Sequence, residues 1–264
     1  MNRGIVIVAH DTEYIEYTKI AKFCARQAAH YLQLPITLIT DNPCSDPIFD
    51  QVITSKNDHY QYRSFGADGK KWKNFNRCNV YDLTPYDHTL MIDCDYIINS
   101  TQLNQLWKLD KSFLCHGTST GISKHIGAIT EKVGQYDLNL VWATVVMFKK
   151  DEFSKAIFDM WKMIQQNYVY YAALFKFNNQ LFRNDYALSI ALNTVTGHLG
   201  YEDCLIQYPL INVFQDVDIK KSDNGYEFFY EKSVSSMYRP YKVQLDNIDL
   251  HMMNKEKLLE LINE

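Results

Sequence analysis

The chain has 264 residues, 47% of them hydrophobic and 22% charged, with a formal net charge of −4. That balance builds a substantial core and excludes a disordered chain. The missing basic excess argues against a dedicated DNA-binding protein, whose affinity comes largely from neutralising phosphate. The six cysteines contain no CxxC pair, so neither a zinc ribbon nor a dithiol redox motif is supported. The chain starts directly into Ile5-Val6-Ile7-Val8-Ala9, a run too short for a signal segment or a membrane span. A reducing, cytoplasmic location with free thiols is the default expectation.

Residues 4–9 form a short Val/Ile-rich run that reads as a buried strand, ending at His10-Asp11-Thr12. Asp11 or Thr12 can cap the helix that follows over 13–32, where Ile15, Ile20, Phe23, Ala28 and Leu32 recur at helical spacing. Pro35 breaks it and 36–39 make the next strand. Strand, helix and strand in that order are the opening of an α/β sheet with a right-handed crossover. A third short strand is expected at 52–54, an irregular stretch at 55–69, and a helix at 70–83 stopped by Thr84-Pro85. The stretch 57–69 is expected to act as a lid over a ligand, from its composition and its place before Trp72.

Strand 88–92 runs straight into Asp93-Cys94-Asp95. A short helix at 101–109, a strand at 113–116, a loop at 117–135, a strand at 141–148 and an amphipathic helix at 151–170 follow. Asn184 or Asp185 opens a helix to 193. Strands at 205–210 and 227–230 and a last helix at 255–263 complete the pattern. No repeat or linker divides the chain, so one α/β domain is expected, with a mixed central sheet flanked by helices.

The segment Leu90-Met91-Ile92-Asp93-Cys94-Asp95-Tyr96 is the most informative. Ligands of open α/β sheets bind beyond the carboxyl ends of strands. Two acids there repel each other unless water or a cation lies between them, and Mn or Mg bridging to diphosphate oxygens meets that requirement. The basic strip Lys70, Lys71, Lys73 and Arg77 suits the same diphosphate. A second candidate segment is Ile248-Asp249-Leu250-His251, with Lys255 one helical turn beyond. An imidazole joined to two carboxylates suits Mn, which accepts mixed N and O donors.

Taken together, Trp72 to Arg77, Val80 to Asp87 and the Asp-x-Asp strand resemble the GT-A nucleotide-sugar transferases. The resemblance spans residues 4 to about 255 and is specific only in the central third. It implies that Asp93 and Asp95 hold the metal and that His10 and Asp11 lie near the base and ribose, with Arg77 near the phosphates. Glycogenin-like retaining members place a C-terminal histidine as third ligand, which implies that role for His251, although the fuller His-Phe-x-Gly pattern is missing here. Lys255 would then neutralise the leaving diphosphate. Acids opening a helix at the position of Asp185, with Asn184 beside it, contact the sugar or act near its anomeric carbon in such enzymes. Trp142 and Thr144, on the strand that supports the acceptor side, are further candidates to face the sugar.

The expected function is therefore metal-dependent transfer of a sugar from a nucleotide-sugar donor, with uridine diphosphate the commonest nucleotide among look-alikes and retention favoured by His251. Residues 1–100 would form the donor half and 101–264 the acceptor half. The acceptor is open: a glycan, a lipid-linked sugar, a protein, or a modified nucleic-acid base. Two alternatives stand beside it. One is a haloacid-dehalogenase-type phosphatase, in which the first Asp is the nucleophile. The other is a sugar- or nucleotide-binding module without catalysis.

Overall fold

The computed structural model describes residues 2–56, 61–64, 69–73, 76–122, 128–177, 181–214, 217–234 and 237–263. In chain order the elements are β1 (Arg3–Val8), α1 (Tyr17–Tyr31), β2 (Ile36–Thr40), β3 (Gln51–Thr54), β4 (Gln61–Ser64), β5 (Gly69–Trp72), α2 (Val80–Leu83), β6 (His88–Asp93), β7 (Tyr96–Ile97), β8 (Phe113–His116), β9 (Ser119–Gly121), β10 (Lys132–Val133), β11 (Leu138–Asn139) and β12 (Trp142–Lys149). They continue with α3 (Glu152–Gln166), α4 (Tyr168–Leu174), α5 (Asn184–Val195), β13 (Leu205–Ile206), β14 (Leu210–Val213), β15 (Asp218–Lys221), β16 (Gly225–Val234), β17 (Met237–Asp246), β18 (Leu250–Met252) and α6 (Lys255–Asn263).

The central sheet has seven strands in the order β13-β8-β12-β6-β1-β2-β3. β3, β2, β1 and β6 run parallel, and β12 runs antiparallel to both β6 and β8. The expected mixed α/β sheet is the one observed. Its strands are covered on both faces, which is why β1, β2 and β12 read as nearly unbroken apolar runs. One core layer joins α1 to Ile5, Ile7, Leu38 and Leu90. The other joins Val6, Met91, Val146 and Phe148 to Ile157, Phe158 and Trp161 of α3 and to α5.

From β1 the chain passes to β2 on one side and later reaches β6 on the other. That reversal opens a crevice beyond the carboxyl ends of β1 and β6, where Val8 and Asp93 are register partners. A second sheet, β7-β18-β14-β9, closes over this end. It is built from strands of two to four residues, and the pairing of Leu250 with Ile97 and of His251 with Tyr96 locks the C-terminal region to the turn after β6.

Several sequence expectations change. Residues 69–72 are a strand paired antiparallel to 61–64, not the start of a helix; the helical part of 70–83 is confined to a 3-10 turn at 76–79 and α2. Within the proposed lid, 57–60 and 65–68 lie outside the described residues. The 151–170 helix is two helices, because Asn167 leaves the helical basin and turns its Nδ2 back to the Met163 carbonyl at 2.9 Å. The loop at 117–135 contains β9 and β10. A meander of β15, β16 and β17 occupies 218–246, where only one short strand was expected.

Candidate metal and diphosphate site

Asp93 closes β6, and Asp95 follows in the turn into β7. Pairing of β7 with β18 carries His251 to them, and the Met252 amide donates to the Asp95 carbonyl at 2.9 Å. One ligand atom from each of Asp93, Asp95 and His251 falls within a group spanning no more than 4.8 Å. This is the one such histidine, cysteine and carboxylate group among the described residues.

The imidazole is oriented from behind. Nδ1 lies 2.9 Å from Asn212 Oδ1, the buried partner of His251 across the β14–β18 register. A carboxamide oxygen only accepts, so Nδ1 carries a hydrogen and Nε2 is the ring nitrogen left to face Asp95. Nε2 sits 3.4 Å from Asp95 Oδ2. An imidazole nitrogen held from behind and gathered with two carboxylates is a donor set that suits a divalent ion. The three residues fit such an ion.

Two cations attend the carboxylates. Arg77, from the 3-10 turn before α2, donates to Asp93 Oδ1 at 2.9 Å and to the Ala143 carbonyl at 2.6 Å. With a side chain 4% exposed, it is committed to the protein interior. Lys255, the first residue of α6, places Nζ 2.6 Å from Asp95 Oδ2. The electrostatics divide accordingly. Burial pushes the Asp93 carboxyl up to about 6, with Arg77 opposing and Asp95 adding to the rise. Burial acts on Asp95 too, but Lys255 and His251 outweigh it and hold that carboxyl below the usual range.

Asp185 lies on the same side. Its Oδ1 accepts from the Ala143 amide at 3.0 Å and its Oδ2 lies 3.4 Å from Arg183. The Ala143 peptide is thus held at its amide by Asp185 and at its carbonyl by Arg77. This is where the β12 pairing to β8 shifts register, a local irregularity of the kind that re-aims backbone beside sites. Asn184, next to Asp185, is buried. Trp142 and Thr144 are buried in β12.

Beside the end of β6, His10 follows β1 and is 4% exposed. Neither ring nitrogen has a hydrogen-bond partner among the described residues. Burial lowers its pKa, Asp41 opposing and Lys73 reinforcing. Asp11 caps α1 from a distance, its Oδ1 accepting from the Thr18 amide at 2.7 Å, while Thr12 Oγ1 accepts from Ile15 at 3.1 Å. Lys73 Nζ pairs with Asp41 at 3.1 Å. Of the donor-side residues singled out in the sequence, Asp93, Asp95, His251, Lys255 and Arg77 come together beyond the end of β6, and His10, Asp11 and Lys73 beyond the end of β1.

Sequence reasoning overlooked Asn212 and Ala143. An asparagine inside the apolar run Leu210-Ile211-Asn212-Val213 was the available signal, because a buried strand position holds an amide only where it has a partner. Ala143 acts through its peptide group and leaves no trace in residue type.

No protein-family model matches the chain, and no curated protein matches it by sequence. Among solved structures it is similar to the glycosyltransferase GlyE of Streptococcus pneumoniae TIGR4, at 13% identity and a TM-score of 0.43 over 82% of this chain and 46% of that one. The chain thus spans about half the length of GlyE. It is also similar to the galactosyltransferase LgtC in complex with donor and acceptor sugar analogs, at 13% identity and a TM-score of 0.47 over 72% of this chain and 70% of that one. A third is the bifunctional IspDF of Campylobacter jejuni, at 9% identity and a TM-score of 0.38 over 72% and 47%. These are likenesses of overall shape.

Proposed function

We propose that this chain is a GT-A-type glycosyltransferase that moves a sugar from a nucleoside diphosphate donor to an acceptor hydroxyl. The observation that carries this reading is the convergence of Asp93, Asp95 and His251 within 4.8 Å at the switch point of the sheet. Asp93, Asp95 and His251 would hold a divalent ion, with Mn favoured over Mg by the imidazole nitrogen. Such an ion supplies Lewis-acid stabilisation to a departing diphosphate.

The remaining work belongs to the chain's own groups. His10, buried with neither ring nitrogen partnered among the described residues, is suited to hydrogen-bond the base or ribose of the donor, with Asp11 beside it at the end of β1. Lys73 lies on the same side and is suited to the phosphates. Lys255 supplies the mobile positive charge for the leaving group, its side chain being 23% exposed where Arg77 is 4% exposed. Arg77 acts as a positioning residue that fixes Asp93 and β12. Asp185 and Asn184 open α5 on the acceptor side, where Asp185 secures the Ala143 peptide. The bond from sugar C1 to the diphosphate oxygen breaks, the bond from C1 to the acceptor oxygen forms, and the hydroxyl proton leaves with the diphosphate or a base. Retention is favoured by the His251 resemblance, whereas an inverting enzyme would use Asp185 as general base.

The phosphatase alternative needs the first aspartate as an attacking nucleophile. Arg77 on Asp93 Oδ1 works against that by stabilising the carboxylate where it stands. Uridine diphosphate is the first nucleotide to test, and the acceptor would be a glycan or another hydroxyl-bearing molecule. No described helix is long and apolar enough to cross a membrane. The six cysteines are all free thiols, which suits a reducing cytoplasmic setting. We read residues 1–264 as one catalytic domain, with the donor side mainly in 1–100 and His251 and Lys255 returning to it from the acceptor half.

The test is a thermal-shift panel of nucleoside diphosphates and nucleotide sugars, each with and without Mn, on the native chain and Asp95→Ala. Stabilisation of ~2–3 kcal/mol at ligand near 100 times its Kd, requiring both Mn and Asp95, is the expected result and identifies the nucleotide. A panel with no metal-dependent shift overturns the reading.

A further inference from the structure

We propose that Lys255 is a built-in competitor for the metal: its ammonium occupies the Asp95 oxygen that the ion needs, and it gives way when a diphosphate arrives to receive it. This inference rests on the metal reading above and concerns how that site is loaded.

The geometry is specific to one oxygen. Asp95 Oδ2 lies 2.6 Å from Lys255 Nζ and 3.4 Å from His251 Nε2. A divalent ion held by Asp95 and His251 would draw on the Asp95 carboxylate beside Nε2, the group to which the Lys255 ammonium is bound. An ammonium and a dication so close repel strongly in a buried site, where charges are poorly screened. The other cation nearby is not placed to compete. Arg77 reaches Asp93 Oδ1, and its second bond to the Ala143 carbonyl holds it in the core. Among the described residues Asp95 is the one ion-pair partner of Lys255, which is the first residue of α6, on a four-carbon stem, with 23% of its side chain exposed.

The surrounding charges favour exchange over expulsion to water. Asp93 and Asp95 are the acids facing the ammonium, and a metal ion neutralises both. The released Nζ is left beside a site that now attracts phosphate, and diphosphate oxygens can replace the lost carboxylate. Metal alone must therefore break the Lys255–Asp95 pair without replacement, whereas metal with diphosphate offers the lysine a new partner. The consequence is positive coupling between metal and nucleotide, which is necessarily reciprocal. The ion pair also keeps the buried Asp95 carboxylate tolerable when neither ligand is bound, since an unpaired buried charge is costly.

The experiment is calorimetric titration of Mn alone into the full chain, native and carrying Lys255→Met, Lys255→Arg or Asp95→Ala, followed by titration of uridine diphosphate at saturating Mn. Melting curves confirm that each variant is folded. The expected result is that Lys255→Met binds Mn about 5-fold or more tightly than the native chain, within the range of ordinary coupling energies, and binds the diphosphate more weakly. Lys255→Arg, which keeps the charge, stays close to native in Mn affinity. If Lys255→Met leaves Mn affinity unchanged or weakens it, while Asp95→Ala abolishes binding, the competition is refuted and the metal site stands. Equal tightening by Met and Arg also overturns it, because the effect then comes from loosened packing. If Mn binds neither the native chain nor Lys255→Met, the metal reading and this inference fall together.

Discussion

His251 and Asn212 face each other across the β14–β18 pairing, Nδ1 to Oδ1 at 2.9 Å, and both are buried. The contact holds the ring with Nε2 towards Asp95. Partners of this kind typically govern metal affinity by 10–100-fold. Asn212→Leu is expected to weaken Mn binding by about that factor, measured by titration, while the melting temperature falls by only a few degrees. An unchanged Mn affinity would mean that Asn212 merely fills space.

Arg77 joins Asp93 to the Ala143 carbonyl in the interior. Removing one partner of a buried pair leaves the other charge stranded, at a cost of about 3–5 kcal/mol. Arg77→Met is expected to lose stability of that order in urea unfolding at neutral pH. A loss of less than ~1 kcal/mol, the value for an exposed pair, would show that Arg77 is not the structural clamp described.

Asp185 accepts from the Ala143 amide, so its first role is to hold backbone. Asp185→Asn keeps an acceptor oxygen there. The expected outcome in an assay with the identified donor is a decrease in kcat of less than about 10-fold. A general base would be missed far more, by about 100-fold or beyond, and such a loss would favour an inverting mechanism.

His88 and His116 are buried, and in each the Nε2 atom has no hydrogen-bond partner among the described residues. Burial lowers each to about 4, aided at His88 by Lys149 and Arg3 and opposed at His116 by the Tyr208 carbonyl. Both folded-state values lie below the unfolded value near 6.5. As pH falls from 6.5 towards 4 the unfolded chain binds protons that the folded chain refuses, so stability falls through that window. The loss at pH 5 should be on the order of 1–2 kcal/mol per histidine, read from urea midpoints between pH 7 and 4.5. His116→Gln should flatten the slope, and an unaltered slope would exclude its contribution.

Much of the central sheet was legible because its signals are local. A strand buried on both faces must be a short apolar run, so β1, β2, β6 and β12 announce themselves, and the acids at Asp93 and Asp95 stand out where such a run ends. The antiparallel pair at 61–64 and 69–72 was not legible. Gly69-Lys70-Lys71-Trp72 has no two-residue alternation, and it becomes a strand only because a partner lies beside it. The same holds for the long meander of β15 to β17, whose outer strand carries mainly exposed side chains.

The amino-acid sequence by itself determined the main strands of the central sheet, the carboxylate pair closing β6 and the residue types a metal and a diphosphate would need. Only the tertiary structure decided which of those groups meet. β7 is two residues long and β18 three, too short to be stable alone, yet their pairing brings a C-terminal histidine and lysine onto Asp95. It also decided that Arg77 is enclosed with Asp93 while Lys255 stays at an accessible helix start. Local sequence fixes the backbone preference and charge of each residue. Distances between residues far apart in the chain come from packing of the whole core, which no window of sequence contains.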